Sequence, residues 1–264
     1  YYDSTRPSAL EALLALPVDL LDGMAADVAR AKALVLERRL SKYNHAPDWA
    51  IPASTSSART DSQRVLVIDQ TAGDLSVALG GANAATFATM LAAARAENPQ
   101  ATIYVKTHPE VTSGRKGGYL TQVQDGVAAS GQRTVVLRQA INPLSLIERM
   151  DRVYVVTSTM GFEALLAGKP VSVFGMPWYA GWGATDDRQA DSPALARRTR
   201  KRTVDELFAA AYFHYTRYLN PVTHQRGTIF DVMDWLVRQR EMAGRYPGRM
   251  VAVGFRRWKA ANVK

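Results

Sequence analysis

Short apolar runs alternate with helical patterns through the middle of the chain. Continuous runs rich in Val, Ile and Leu predict five buried strands, at 65–68, 101–106, 134–137, 152–156 and 170–174. The patterns between them predict helices at 83–97, 119–129, 143–150 and 161–167. Because strands that alternate with helices pair in parallel, we expect an α/β fold built on a Rossmann-like, doubly wound parallel sheet.

Helical patterns flank this region on both sides. Residues 8–42 predict helix, with Ser8 as a cap and an interruption at Pro17, and residues 44–60 predict a linker rich in Pro and Ser. Helices are predicted again at 203–219 and 228–243. We therefore divide the chain into a helical segment with its linker, a Rossmann-like domain and a basic helical segment, at 1–60, 61–200 and 201–264.

Composition narrows the class of protein. No apolar run approaches the roughly 18 to 20 residues that span a bilayer, and the first residues are unlike a signal peptide. The chain has no Cys, which excludes disulfides and thiolate chemistry and agrees with a reducing cytoplasm. Its four His are scattered, so we predict no metal site.

Basic residues are concentrated at the end of the chain, whose net charge is +9. Residues 193–264 hold 15 Lys and Arg against 5 Asp and Glu. Such a segment suits nucleic acid, an anionic membrane or a phosphate-bearing substrate. A solvated basic surface is the alternative interpretation.

Polar residues follow the first two predicted strands, where ligands of parallel sheets bind. Asp69, Gln70 and Asp74 follow the first strand, and a carboxylate there can act as base or nucleophile or hold a sugar hydroxyl. Alternatively, Asp74 only caps the next helix. Lys106 and His108 follow the second strand, where an imidazole beside an ammonium is suited to bind phosphate.

The last two predicted strands are followed by two further candidate sites. The fourth strand is followed by the hydroxyls of Thr157, Ser158 and Thr159 and then by Gly161 and Glu163. At a helix start, these residues suit binding of an anion and a ribose diol. The alternative is that Glu163 belongs to a capping box. Trp178, Tyr179 and Trp182 lie among glycines and would stack on a sugar or, alternatively, form a buried lid. Neither a G-x-G-x-x-G after the first strand nor a P-loop is present, which argues against a nicotinamide or flavin cofactor.

With these motifs in place, the sequence resembles KpsC-type capsule polysaccharide biosynthesis proteins, which are retaining β-Kdo transferases that use CMP-Kdo. The matching segments are 1–8 (YYDSTRPS), 42–44 (KYN), 67–76 (VIDQTAGDLS), 106–109 (KTHP), 157–165 (TSTMGFEAL), 174–185 (FGMPWYAGWGAT) and 215–221 (YTRYLNP). The resemblance implies the donor-binding part of a GT-B-like glycosyltransferase, with CMP-Kdo as the donor substrate and no cofactor or metal.

The resemblance also implies roles for individual residues. His108, Ser158 and Thr159 would bind the CMP phosphate, with Lys106 supporting its charge, and Glu163 would bind the ribose. Gln70, Thr157 and Gly161 are the other residues expected to bind the donor. Asp74 would be the nucleophile that forms a glycosyl–Asp intermediate, with Asp69 as the other candidate.

In the family, the YYD-x-TRPS motif lies well inside the protein, so we expect this chain to lack an N-terminal portion that carries much of the acceptor site. The expected reaction transfers Kdo to a lipid-linked Kdo acceptor for capsule export, in the cytoplasm or peripheral to the inner membrane. The residues expected to face anionic lipid or substrate are Arg197, Arg198, Arg200, Lys201, Arg202 and the Arg-rich tail.

Two alternatives remain open at this stage. One is a GT-B relative that uses another nucleotide sugar, similar to a sialyltransferase or an epimerase. The other is a non-enzymatic nucleic-acid-binding module, which the lack of aromatic residues within 195–202 disfavours. We therefore expect no nucleic-acid partner.

Overall fold

A seven-stranded sheet runs through the centre of the computed structural model, which describes residues 2–50, 63–112 and 114–245. Its strands are β1 Arg64–Ile68, β2 Thr102–Lys106, β3 Gly126–Val127, β4 Arg133–Leu137, β5 Arg152–Val155, β6 Val171–Val173 and β7 Asp186–Asp187. The spatial order is β3-β4-β2-β1-β5-β6-β7, and every neighbouring pair is parallel except β3 with β4. The five longer strands therefore follow the doubly wound order, which confirms the predicted fold class.

The central strand β1 shows why continuous apolar runs form this sheet. Val65 and Val67 are fully buried on one face, in a core that includes Phe87 and Met90. Leu66 is fully buried on the opposite face, within the larger core. A strand covered on both faces has no polar alternation, which is the pattern that the sequence carries.

Helices cover both faces of the sheet. They are α1 Ala9–Ala15, α2 Ala25–Glu37, α3 Leu75–Leu79, α4 Ala84–Glu97, α5 Pro109–Thr112, α6 Pro143–Ile147, α7 Met160–Leu166, α8 Pro193–Arg197, α9 Val204–Ala209 and α10 Ile229–Arg245. A π-helix, Ala210–Tyr215, continues α9, and a small hairpin pairs β8 Tyr218–Leu219 with β9 Arg226–Gly227. Ser8 caps α1 as predicted, because its hydroxyl accepts the Glu11 backbone N–H at 3.0 Å.

The N-terminal and C-terminal helices pack against the same side of the sheet. Leu10 and Val28 belong to one buried cluster with Phe162, Phe208 and Met233. The flanking segments therefore share a core with the sheet, and the boundaries at 60 and 200 stay predictions. Within the described residues, no helix has the length and apolarity needed to cross a membrane.

Two predicted helices differ from the structure. The helix predicted at 119–129 is wrong, because turns and β3 occupy that stretch. The backbone N–H groups of Tyr119 and Leu120 donate to the Asp69 carboxylate instead of entering a helical ladder. The helix predicted at 203–219 ends at Tyr215, and Thr216 has extended backbone angles.

Two arginines of the basic stretch 193–264 bind a buried carboxylate. Arg197 Nε donates to Glu11 Oε1 at 2.5 Å, and Arg198 Nε donates to Glu11 Oε2 at 3.1 Å. The Arg198 guanidinium also donates to the carbonyls of Pro177 and Ala180. These contacts attach α1 to the edge of the sheet domain.

Arg202 is committed in the same way. Its guanidinium donates to the carbonyls of Leu14, Leu16 and Val18, which are exposed where α1 ends, and it pairs with Glu206 at 2.6 Å. The side chains of Arg198 and Arg202 are each only 3% exposed. The prediction that these two arginines face anionic lipid or substrate is therefore wrong, whereas Arg200 and Lys201 are exposed. The tail from 246 onward lies outside the described residues.

Candidate functional site

A polar crevice lies where the strand order reverses, between the carboxyl ends of β1 and β5. Gln70, directly after β1, donates from its side-chain amide to Thr157 Oγ1 at 3.0 Å. Its side-chain carbonyl accepts the Thr157 backbone N–H, also at 3.0 Å. Gln70 is 5% exposed, so this predicted donor-binding residue serves here as a buried connection between two loops.

Asp74 and Ser76 lie close to Gln70 and Thr157. Asp74 Oδ1 accepts the Ser76 backbone N–H at 2.9 Å and caps α3, whereas Oδ2 lies 3.4 Å from the Gln70 amide. Ser76 Oγ lies 3.1 Å from Thr157 Oγ1. Asp74 is half-buried, so it combines the predicted capping role with a position at the crevice.

Asp69, the second candidate carboxylate, is anchored by the backbone. Its Oδ1 accepts the N–H groups of Gln70, Tyr119 and Leu120 at 2.9, 3.0 and 3.2 Å. Burial raises the pKa of Asp69, and the three backbone bonds oppose that shift. A Cβ at Gly118 would collide with Asp69 Oδ2, so this loop closes tightly over the carboxylate. Asp69 is 3% exposed and holds the loop after α5 against β1.

His108 faces a tyrosine that sequence reasoning left without a role. His108 Nε2 and Tyr43 Oη are 2.8 Å apart, and the two rings meet edge to face. Nδ1 accepts the Glu110 backbone N–H at 3.2 Å, so in the neutral ring the hydrogen sits on Nε2 and is donated to Tyr43. Burial and then the charge of Lys42 lower the pKa of His108, which favours this neutral form.

Lys106 occupies a different position from the one predicted. It is 6% exposed, and its ammonium donates to the Thr107 carbonyl at 2.5 Å. A second carbonyl, that of Leu137, lies at 3.5 Å. Burial lowers the pKa of Lys106 to about 8. Its charge reaches His108, but its hydrogen-bonding capacity is directed to the backbone.

Glu163 lies in the first turn of α7 and is half-buried. No side chain caps this helix at Thr159, so Glu163 does not take part in the alternative capping box. Burial raises the pKa of Glu163 to about 7, and a hydrogen bond from Ser41 and the charge of Lys42 oppose the shift. A carboxyl group that titrates near neutrality is a candidate for a binding or proton-transfer role.

Two of the three candidate stacking aromatics are core residues. Tyr179 and Trp182 are fully buried; Tyr179 donates its hydroxyl to the Ser158 carbonyl, and Trp182 donates to the Trp178 carbonyl. The stacking interpretation is wrong for these two rings, and the buried-lid alternative applies. Trp178 is 7% exposed and lines a small cavity together with Tyr2, Ser76, Thr157, Thr159 and Pro177.

Gly161 has a packing role that explains its position. A Cβ built on Gly161 would collide with the Tyr179 hydroxyl, so only glycine lets α7 lie against that ring. Ser158 and Thr159 remain at the edge of the crevice, Ser158 half-buried and Thr159 exposed. Ser158 Oγ accepts the Met160 backbone N–H at 3.3 Å.

The residues that sequence reasoning missed lie between α2 and the predicted linker. Ser41 hydrogen-bonds Glu163 and Tyr43 contacts His108, both from outside the sheet domain. The charge of Lys42 acts on Glu163 and on His108. The signal for them was present, because 42–44 was one of the segments that carried the resemblance. In the described residues no strand precedes them, so the rule that ligands bind at strand ends does not identify them.

Comparison with known proteins gives consistent matches across most of the chain. The family described as "Capsule polysaccharide biosynthesis protein" matches residues 1–218. The chain is 46% identical over its whole length to the capsule polysaccharide modification protein LipA of Neisseria meningitidis serogroup B, and 37% identical over 83% of its length to the lipopolysaccharide-processing protein LpsZ of Rhizobium meliloti. It spans 37% of the length of the first relative and 47% of the second.

Two solved structures are also similar. The β-Kdo 2,4 transferase of Thermosulfurimonas dismutans KpsC is 46% identical with a TM-score of 0.78, and the match covers 90% of this chain and 70% of that one. The β-Kdo 2,7 transferase of the same KpsC is 30% identical with a TM-score of 0.65, covering 91% and 70%.

Proposed function

The chain belongs to the family of capsule polysaccharide biosynthesis proteins, and from this membership we propose that it is the donor-binding part of a β-Kdo glycosyltransferase. The proposed donor is CMP-Kdo, and the proposed acceptor is a lipid-linked Kdo chain of the capsule export linker. The similarity to two solved Kdo transferases supports the transferase assignment. The reaction is proposed to occur at the cytoplasmic side of the inner membrane.

The observation that carries the proposal is the arrangement at the sheet switch point. Asp74 lies after β1, His108 after β2 and Glu163 in α7 after β5, so all three follow the carboxyl ends of neighbouring strands. The charge of Asp74 acts on the pKa values of both His108 and Tyr43, which supports their sharing one site. Doubly wound sheets bind nucleotides at this position.

Asp74 is the nucleophile we propose for a retaining mechanism. One Asp74 oxygen would bond to the anomeric carbon of Kdo as the bond from that carbon to the phosphate oxygen breaks, and the bonding electrons leave with CMP. The acceptor hydroxyl would then bond to the same carbon, the Asp74 ester bond would break, and the hydroxyl proton would pass to solvent. Two displacements on opposite faces retain the configuration.

Asp74 is favoured over Asp69 by exposure and by hydrogen bonding. Asp74 is half-buried and keeps Oδ2 at the crevice, whereas Asp69 is nearly enclosed and accepts three backbone hydrogen bonds on one oxygen. A nucleophile must approach its carbon without leaving buried N–H groups unpaired, which would cost about 1–3 kcal/mol for each group.

Charge on the departing phosphate would be stabilised by hydrogen-bond donors of the crevice. Ser158 and Thr159 supply hydroxyls at its edge. The single N–H of neutral His108 is donated to Tyr43, so His108 would act on the phosphate through that tyrosine. Glu163 is placed to accept hydrogen bonds from the ribose hydroxyls. Each donor that acts only as charge develops on the phosphate would lower the barrier of the first displacement.

Transfer assays test the proposal. The purified full-length protein would be incubated with CMP-Kdo and a Kdo-terminated lipid acceptor, and the products analysed by mass spectrometry. We expect transfer by the unsubstituted protein and by Asp125→Asn, an exposed control whose carboxylate lies outside the crevice. Asp74→Asn is expected to reduce turnover by roughly a thousandfold or more, since it removes the nucleophile. Transfer from another nucleotide sugar, with none from CMP-Kdo, would overturn the proposal.

A further inference from the structure

Residues 41–43, here called the 41–43 loop, border the crevice from outside the sheet. It follows α2, and Asn44 next to it donates to the Leu236 carbonyl of α10 at 3.1 Å. Ser41 hydrogen-bonds Glu163, and Tyr43 contacts His108. The loop is therefore fixed between the helical layer and two residues that come from different strand ends.

The hydroxyl of Tyr43 is oriented by its neighbour. Because His108 Nδ1 accepts the Glu110 N–H, His108 Nε2 is the donor and the Tyr43 oxygen is the acceptor. The hydroxyl hydrogen of Tyr43 is then available for another acceptor. Burial, together with the charges of Glu110, Glu163 and Asp74, raises the pKa of Tyr43 to about 12, so the hydroxyl keeps its hydrogen at neutral pH.

Lys42 brings a positive charge to the same place. Its side chain is exposed, its ammonium lies 5.5 Å from the centre of the Tyr43 ring, and its charge acts on both His108 and Glu163. Two other lysines near His108 have protein partners, because Lys106 donates to backbone carbonyls and Lys116 pairs with Glu110 at 3.2 Å. Lys42 therefore supplies a cation that is accessible from the crevice.

We infer that the 41–43 loop is the anion-binding wall of the nucleotide site, where Lys42 pairs with the phosphate and Tyr43 donates its hydroxyl hydrogen to a phosphate oxygen. This inference rests on the proposed function, since it takes the ligand to be a nucleotide. It transfers to Lys42 the charge-supporting role that sequence reasoning gave to Lys106. Tyr43 would bind the phosphate while it keeps the His108 ring in place.

The contrast between CMP and cytidine isolates the phosphate. The two ligands share base and ribose, so a residue that contacts only the phosphate changes the affinity for CMP and leaves that for cytidine unaltered. Titration calorimetry would measure both ligands on the unsubstituted chain and on Lys42→Met and Tyr43→Phe. Lys169→Met is the matched control for charge, because Lys169 precedes β6 and so lies at the amino ends of the strands, opposite the carboxyl ends that form the crevice. Tyr104→Phe is the control for a lost hydroxyl on a buried ring.

We expect Lys42→Met and Tyr43→Phe each to weaken CMP binding about tenfold, the effect of one charge-assisted hydrogen bond at a partly exposed site, with cytidine affinity unchanged. Both controls are expected to bind CMP like the unsubstituted chain. Equal losses for CMP and cytidine, or no loss for CMP, would overturn the inference and leave the proposed function standing. Absence of CMP binding by the unsubstituted chain would instead overturn the proposed function and the inference together.

Discussion

Replacement of Glu163 by Gln should stabilise the fold at alkaline pH and leave it unchanged in acid. Burial raises the pKa of Glu163 from its ordinary value of 4.5 to about 7. A carboxyl group whose folded-state pKa is raised favours folding only while it is protonated. The unsubstituted chain therefore loses stability as the pH rises from about 4.5 through about 7, and Gln, which does not ionise, avoids that loss.

The size of the effect follows from the shift. One pKa unit corresponds to about 1.4 kcal/mol, so the shift of Glu163 amounts to roughly 3 kcal/mol once both states are ionised. Because the side chain is only half-buried, we reduce this to about 2 kcal/mol at pH 8. Ser41 and Lys42 lower the pKa of Glu163, and the value of about 7 already includes their effects. The charge of this carboxylate also raises the pKa values of Tyr43, Tyr179 and Tyr212.

Urea unfolding at pH 4.5 and pH 8 checks the prediction. Glu163→Gln should match the unsubstituted chain within about 0.5 kcal/mol at pH 4.5 and exceed it by about 2 kcal/mol at pH 8, with an unchanged denaturant slope. Glu37→Gln, an exposed control, should show no such pH-dependent difference. Equal differences at both pH values would refute the reasoning, because they would show that burial of the charge is not the cause.

Three further predictions concern other parts of the molecule. In the proposed transfer reaction, a trapped Kdo adduct should be found on Asp74 by peptide mass spectrometry. An adduct on Asp69 would contradict the assignment. Glu11→Ala should lower the free energy of unfolding by about 3–5 kcal/mol in urea titrations, since it leaves the guanidinium groups of Arg197 and Arg198 without their carboxylate. A loss below about 0.5 kcal/mol would show that the pairing is not stabilising. Gly161→Ala should lower the free energy of unfolding by about 1–3 kcal/mol, and with it the unfolding temperature. Adding Tyr179→Phe should restore part of the lost stability, because it removes the hydroxyl that the new methyl group meets. If the double variant is no more stable than Gly161→Ala, the strain lies elsewhere.

The strands were predictable because their signal is local. Val65, Leu66 and Val67 are buried on both faces of the sheet, so the sequence there carries no alternation that a helix or an exposed strand would require. The polar residues after those strands could be placed in one crevice for the same reason. A parallel arrangement brings the carboxyl ends of neighbouring strands together.

The predicted helix at 119–129 shows where local signals end. Its residues have moderate helix propensity, but Tyr119 and Leu120 donate to Asp69 some 50 residues earlier, and Asp125 accepts the Val136 backbone N–H. These contacts between distant parts of the chain outweigh propensity, which amounts to a few tenths of a kcal/mol per residue. A pattern of neighbouring residues does not contain them.

Charge counts were misleading for a related reason. Arg198 and Arg202 add to the count of basic residues near the end of the chain, but both bind partners inside the protein. Glu11 and the Leu14 carbonyl lie more than 180 residues earlier in the chain. The carbonyls of Pro177 and Ala180 lie about 20 residues before Arg198. Lys106 is a similar case, since its partners are carbonyls next to its own strand. The side chain of a long basic residue reaches several possible partners, and the sequence does not say which one it meets.

The connection made by Gln70 has a consequence for the thermodynamics of the proposed nucleotide binding. Its amide holds Thr157 and lies within 3.4 Å of Ser76, so the two loops have one relative position before any ligand arrives. The conformational entropy of these side chains is therefore lost during folding and does not oppose binding. In Gln70→Ala the ligand would have to order both loops itself. The affinity for CMP would then fall mainly through a less favourable entropy of binding. The direct contacts to the ligand would remain, and most of the binding enthalpy with them.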